Sequence, residues 1–184
     1  LLRKKVSITT PDVSVTNPEE LQLLYPLPFL VVEVSYTQGV TGTNVLVIKE
    51  EDAAIIADLM MGGDGLSAEG KNLGDLELSA VGEAMNQMMG SATTSLSSMF
   101  NRRIDIAPPQ LTVIDMGKES LQLSTSFDDV VKIKFKMEIE NLINSEIMQI
   151  IPMEAVENIM SILLGSTAEE SSAEAVMEEP LVGM

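Results

Sequence analysis

The sequence predicts an α/β chain, α+β in arrangement: an internally duplicated, pseudo-twofold fold in which long helices pack on a largely antiparallel central sheet. Three observations lead there. Segments such as FLVVEVSY (29–36) and VVKIKFKMEI (130–139) carry the β-branched content and two-residue alternation of strands. EEDAAIIADLMM (50–61) and LELSAVGEAMNQMMG (76–90) place apolar residues at helical spacing. A strand-and-helix pattern from the first half of the chain also recurs in the second.

Taken in order, Lys4–Val15 (KKVSITTPDVSV) alternates apolar and polar residues and reads as a strand. Pro11 marks an edge, bend or bulge in it, since proline cannot donate to a ladder. Asn17–Pro28 reads as a connection, Phe29–Tyr36 as a strand, Gln38–Asn44 as a Gly/Thr turn and Val45–Ile48 as a short strand. Glu50–Met61 opens acidic, as the positive end of a helix dipole favours, and stops at Gly62-Gly63. Gly62-Gly63-Asp64-Gly65 begins a polar loop that runs to Gly74, in its plainest sense a helix stop followed by a flexible connection. Asp75 is placed to cap a long helix over Leu76–Phe100, which Gly90 and the Ser/Thr group behind it weaken without breaking. Arg102–Val113 (RRIDIAPPQLTV) is a strand with paired prolines, and Leu121–Ser126 and Val130–Ile139 continue the sheet. In the last of these Lys132, Lys134 and Lys136 alternate with Ile133, Phe135 and Met137, which predicts one wet and one buried face. Glu146–Ile151 is a final strand and Pro152–Leu164 a final helix, with proline suited to its first turn.

Shifted by 98 positions, Lys4–Val15 lies on Arg102–Val113: the basic pairs match, Val6 and Ile8 meet Ile104 and Ile106, and Pro11 meets Pro109. Shifted by 103, Glu51–Gly62 lies on Glu154–Gly165, with glycine ending both helices. Chance accounts for shared periodicity more easily than for the basic pair, proline and terminal glycine in order. In the second copy the helix 76–100 directly precedes the basic strand, whereas in the first that strand starts at residue 4. The duplication therefore predicts an equivalent helix upstream of Leu1.

Composition narrows the chemistry. At 184 residues the chain can bury a substantial core, and with 3% aromatics, no Trp and 13 Met that core is aliphatic and methionine-rich. A net charge of −17 argues against a general nucleic-acid binder, which needs clustered Lys and Arg, and favours basic protein partners. Without Cys or His there is no disulfide, no Ser–His or Cys–His nucleophile, no histidine zinc site and no imidazole base. No Asp/Glu cluster has metal-ligand spacing, so no metal is expected on the chain. No apolar run reaches the roughly 18 residues of a membrane span, so no membrane insertion is expected, and the absence of cysteine is consistent with the cytoplasm. Such a chain binds, or catalyses with a partner carrying most of the chemistry.

One polar feature stands out. At about 100° of rotation per residue, Ser79, Glu83 and Asn86 fall within a sector of roughly 60° on the helix 76–100. Leu78, Val81, Met85 and Met88 gather on another face as a buried seam. Periodicity alone describes an ordinary amphipathic helix with a solvated stripe.

Spacing adds to that. Ser79-x3-Glu83-x2-Asn86, followed after twenty-two residues by Pro109, resembles the Asp/Ser-x3-Glu-x2-Asn-x22-Pro motif of the CheC/CheX/FliY phosphatases. The flanking LELSAVGEAMNQMMG and EEDAAIIADLMMGGDG text is most similar to the FliY members of that family, over about Lys4–Gly165. The resemblance implies a CheC-like fold related to the FliM middle domain. It implies as substrate the phosphorylated response regulator CheY, whose aspartyl phosphate is hydrolysed at the flagellar motor switch. It gives Asn86 the task of orienting the attacking water, Glu83 that of pairing with the receiver's lysine, Ser79 a supporting place and Pro109 a structural one. Mg²⁺ and the phosphorylated Asp come from the partner, so no cofactor is expected here. Of the first-copy motif only Pro11 remains. Gly62-Gly63-Asp64-Gly65 resembles the loop by which FliM contacts FliG, which makes FliG a candidate partner beside FliM and FliN-like domains, at the cytoplasmic face of the flagellar basal body. Two readings stand: a phosphatase domain over 1–165, or a FliM-like rotor module for which the stripe is packing surface. The stretch 166–184, with five Glu and no Lys or Arg, is expected to be a disordered acidic linker.

Overall fold

The computed structural model describes residues 2–9, 11–68, 70–115, 117–118 and 129–176, the last eleven of these as backbone only. Eight strands, β1 (Val6–Ile8), β2 (Asp12–Thr16), β3 (Pro28–Gln38), β4 (Thr43–Lys49), β5 (Asp105–Ile106), β6 (Gln110–Asp115), β7 (Val130–Ile139) and β8 (Ile143–Pro152), form one sheet. Its order is β1-β7-β8-β4-β3-β5, with β2 also on β7 and β6 also on β3. Every pairing is antiparallel. Among the described residues four α-helices accompany it: α1 (Pro18–Leu24), α2 (Glu50–Met60), α3 (Asp75–Met99) and α4 (Met153–Val176).

This order is a palindrome about the β4–β8 seam, and the register locates the axis. Leu46 faces Gln149, Val45 faces Ile150 and Val47 faces Met148. Under the 103-residue shift Leu46 and Gln149 are equivalent, and the two flanking pairs exchange. The pseudo-twofold therefore passes through the Leu46–Gln149 pair. Each copy lends its N-terminal strands to the other: β1 and β2 pair with β7, and β5 and β6 with β3.

Both proline-bearing strands differ from the sequence reading in the same way. Each is split in two, at Pro11 and at Pro108-Pro109, because the missing N–H and fixed φ interrupt the ladder. The connection 17–28 holds α1, whose signals are textual as well as structural: the Asn17 side chain accepts from the Glu20 N–H, Pro18 opens the helix, and Glu19 and Glu20 fill its first turn. Asp75 is not the cap of α3; Gly74 takes that place, and its N–H donates to Glu77 Oε2 at 3.1 Å. The helical backbone of α4 runs on to Val176, past Leu164 and through the first part of the stretch read as a linker. One glycine costs a helix only about 1 kcal/mol, and the Ala/Glu-rich text behind Gly165 favours helix. The expected strand at 121–126 lies outside the described residues.

Alternation along the strands divides the core. On one face Leu30, Val32, Val34, Leu46 and Ile48 pack beneath Ala53, Ile56 and Ala57 of α2 and Val81, Met85 and Met89 of α3. On the other, Leu21 of α1 covers Phe29, Val31, Val45 and Val47. The helical face is unequal about the axis. Ile104, at the start of the second basic segment, is buried, whereas Val6 and Ile8, matched to Ile104 and Ile106, remain exposed. They border an open apolar groove of about 610 Å³ with Met88, Phe135, Met137 and Ile147.

Candidate functional site

Helix α3 is held by a buried line of Val81, Ala84, Met85, Met89 and Thr93. Thr93 also donates its hydroxyl to the Met89 carbonyl at 2.7 Å. At Gly82 the helix lies over β6: a Cβ there would meet a Leu111 methyl at 3.7 Å, an ordinary contact. Met88, read from the sequence as part of the seam, is 43% exposed, because it points into the open groove rather than onto packed strands.

This anchoring fixes which side of α3 faces solvent. Ser79, Glu83 and Asn86 are all exposed, on the side opposite Val81 and Met85. The stripe continues to Gly90, around which nothing lies within 4 Å of a would-be Cβ, so the surface beyond Asn86 is left uncovered. At the other end Leu76, 68% exposed, gives it an apolar edge. Glu83 is not free to wander: its Oε1 accepts from Gln87 Nε2 one turn on. Gln87 was missed by motif reading, although i,i+4 spacing identifies it. Pro109 sits half-buried in the connection between β5 and β6, just ahead of the strand rather than in it.

The Gly62–Gly65 loop is a second feature, at the end of α2. It is a built turn, not a slack connection. Asp58 Oδ2 accepts from the Gly65 N–H at 2.8 Å, the Asp58 carbonyl accepts from the Gly63 N–H at 2.8 Å, and Asp64 Oδ1 accepts from the Leu66 N–H at 2.9 Å. Gly62 and Gly65 have φ of 91° and 84°, in the region glycine enters without strain. A Cβ on Gly63 would lie 2.1 Å from Asp58 Oδ2, so the carboxylate and a side chain there exclude one another. Pro11 lies exposed between β1 and β2. Among the described residues no group of three or more His, Cys, Asp or Glu side chains is placed to hold a metal ion, and no helix is long and apolar enough to cross a membrane.

Residues 76–113, which carry α3 and run through Pro109, match the CheC-like family. The solved structure of Thermotoga maritima FliY superposes with a TM-score of 0.81 at 39% identity, covering 89% of this chain and 84% of that one. The chain belongs to the CheC/CheX/FliY family. Within it, the flagellar motor switch phosphatase FliY of Bacillus subtilis is 44% identical over 185 residues, 98% of this chain; the chain spans 49% of the length of that relative. The FliM middle domain of Vibrio alginolyticus shares the fold, with a TM-score of 0.62 at 14% identity and coverage of 88% and 87%.

Proposed function

We propose that the exposed α3 face hydrolyses the aspartyl phosphate of CheY at the flagellar switch. The carrying observation is the placement of Ser79, Glu83 and Asn86 together on the solvent side of a helix held by Val81 and Met85, with Pro109 at the family spacing. The FliY relatives support the reading. Aspartyl-phosphate hydrolysis needs an aligned water more than a strong base, since phosphoryl transfer depends chiefly on positioning and charge stabilisation. The Asn86 amide suits that task, because its carbonyl accepts from the water while its NH₂ donates to a phosphoryl oxygen. Glu83, steadied by Gln87, pairs with the receiver's lysine and sets the angle at which Asn86 enters. The Mg²⁺ and the phosphorylated Asp belong to the receiver, and the residues here supply orientation. Ser79 borders the same face, where its hydroxyl supports the docked partner. A phosphate-release assay on phosphorylated CheY tests this: the chain accelerates release, and activity unchanged in both Glu83→Ala and Asn86→Ala sinks the assignment.

A second reading rests on the ordered Gly62–Gly65 loop, which by its resemblance to the FliM loop is a candidate contact for FliG or other switch proteins. It predicts a complex with FliG that loop substitutions abolish and Asn86→Ala leaves intact. The two faces belong to different elements, so both roles are compatible.

A further inference from the structure

The exposed line on α3 runs past the residues that the proposed chemistry uses. Leu76, Ser79, Glu83, Asn86 and Gly90 follow one another at intervals of three and four residues, and all five are exposed. At about 100° of rotation per residue they fall within a sector of roughly 80°, so a surface laid along the helix meets them in turn. Gly90 lies one turn beyond Asn86, about 6 Å further along the axis.

Nothing in the folded chain calls for glycine there. Its backbone is helical, not left-handed as at Gly62 and Gly65. Among the described residues nothing packed against the helix comes within 4 Å of a would-be Cβ, so no close contact excludes a side chain. Met88, which lines the open groove, lies about 160° away by the same arithmetic, so the groove does not account for the glycine either. The Gly90 carbonyl accepts from the Thr94 hydroxyl at 3.0 Å, so the position offers a partner closeness rather than an unmet polar group. Glycine is the poorest helix former after proline, and this one stands inside a helix of 25 residues. The chain carries that penalty with no return from its own packing.

We propose that Gly90 is a positioning residue, which lets phosphorylated CheY settle low enough on α3 for Asn86 to reach the aspartyl phosphate; this rests on the hydrolytic reading of that face. The Asn86 amide stands on a short side chain, so it reaches a recessed phosphoryl group only where the two surfaces come close. A side chain one turn away on the same line holds the partner off by its own height. Glycine removes that obstacle and leaves bare backbone for the partner to rest on. Glu83 is longer by one carbon and tolerates a wider gap. A slightly lifted partner therefore keeps its lysine pairing and loses the aligned water, so spacing acts on turnover before it acts on docking.

The test is steady-state phosphate release from phosphorylated CheY by the parent chain, Gly90→Ala, Gly90→Leu and Asn86→Ala. Gly165→Leu serves as control, because it puts the same side chain on an equally open helical glycine of α4. The expected result is a fall in kcat of about tenfold in Gly90→Ala and about 10²-fold in Gly90→Leu, with KM in the Ala variant within about threefold of the parent. Gly165→Leu matches the parent. Melting midpoints of both Gly90 variants lie at or above that of the parent, since Ala and Leu are better helix formers, which separates lost turnover from lost folding. Parent-like kcat in Gly90→Leu beside a slowed Asn86→Ala overturns the proposal and leaves the hydrolytic reading standing. Full release by Asn86→Ala removes that reading, and this inference with it. An equal loss in Gly165→Leu, or a lowered melting midpoint in Gly90→Ala, also overturns the proposal: the first makes the effect indiscriminate, and the second gives the glycine to the fold.

Discussion

Replacing Asn86 with Ala removes the side chain proposed to align water, and the structure predicts that stability will not suffer. Asn86 is exposed, and alanine is the better helix former by up to about 0.7 kcal/mol, so the variant gains between zero and about that much. Val81, on the opposite side of the same helix, gives the scale of a structural loss. Its side chain is 0% exposed. Val81→Ala deletes two methyl groups' worth of burial, about 1.6 kcal/mol at 0.8 per carbon, and incomplete collapse of the cavity brings the loss to about 2–3 kcal/mol. At about 2–4 °C per kcal/mol for a domain of this size, the melting midpoint falls by roughly 4–12 °C for Val81→Ala and rises by at most about 3 °C for Asn86→Ala. Thermal denaturation followed by circular dichroism, with urea midpoints alongside, reads both. A fall of more than about 4 °C for Asn86→Ala would show that the stripe holds the fold together, and the case for a free working face on α3 would collapse.

Three further outcomes are expected. Gly63→Ala drives a Cβ into the Asp58 carboxylate and breaks its bond to the Gly65 N–H, costing about 1–3 kcal/mol; hydrogen exchange at Gly65 and Leu66 should quicken markedly, and unchanged protection there would contradict the Asp58-held turn. Asp52→Asn tests the buried carboxyl on the first turn of α2, which burial pushes above the usual carboxylate range although the neighbouring Ser145 hydroxyl pulls it partly back. A raised folded-state value means that folding favours the protonated acid, so Asp52 contributes most below its unfolded value near 4 and loses that contribution as pH rises through its folded value. The Asn variant should therefore gain on the parent at pH 7 relative to pH 3.5 in urea midpoints, and a gain that runs the other way would reverse the sign. Gln87→Ala releases Glu83; it should raise KM for phosphorylated CheY severalfold while leaving kcat within about twofold, since only orientation of the partner-pairing group is loosened.

Much of this was legible from the text, and the exceptions have physical reasons. The stripe on α3 needed only helical geometry, because Val81 and Met85 point where their periodicity says. The duplication was readable from residue matches, and the register through Leu46 and Gln149 turned it into an axis. Met88 misled, because its direction on the helix is right for burial but the strands beneath it leave a groove open. The segment holding α1 was passed over for its prolines, although Pro18 sits where a helix tolerates one. Asp52 and Ser145 were beyond reach: two residues 93 positions apart meet only because β8 runs antiparallel to β4, which sets the start of β8 beside the start of α2. No local pattern announces such a pair.

The rate of phosphate release from phosphorylated CheY, measured at saturating partner with the parent chain and with Asn86→Ala, tests the proposed role of the α3 face most directly. Loss of an aligning amide at a phosphoryl centre should lower the accelerated rate by about 10²-fold while complex formation, read by titration calorimetry, stays within about threefold. Full acceleration by folded Asn86→Ala would contradict the assignment outright, and place the function of this helix face in docking alone.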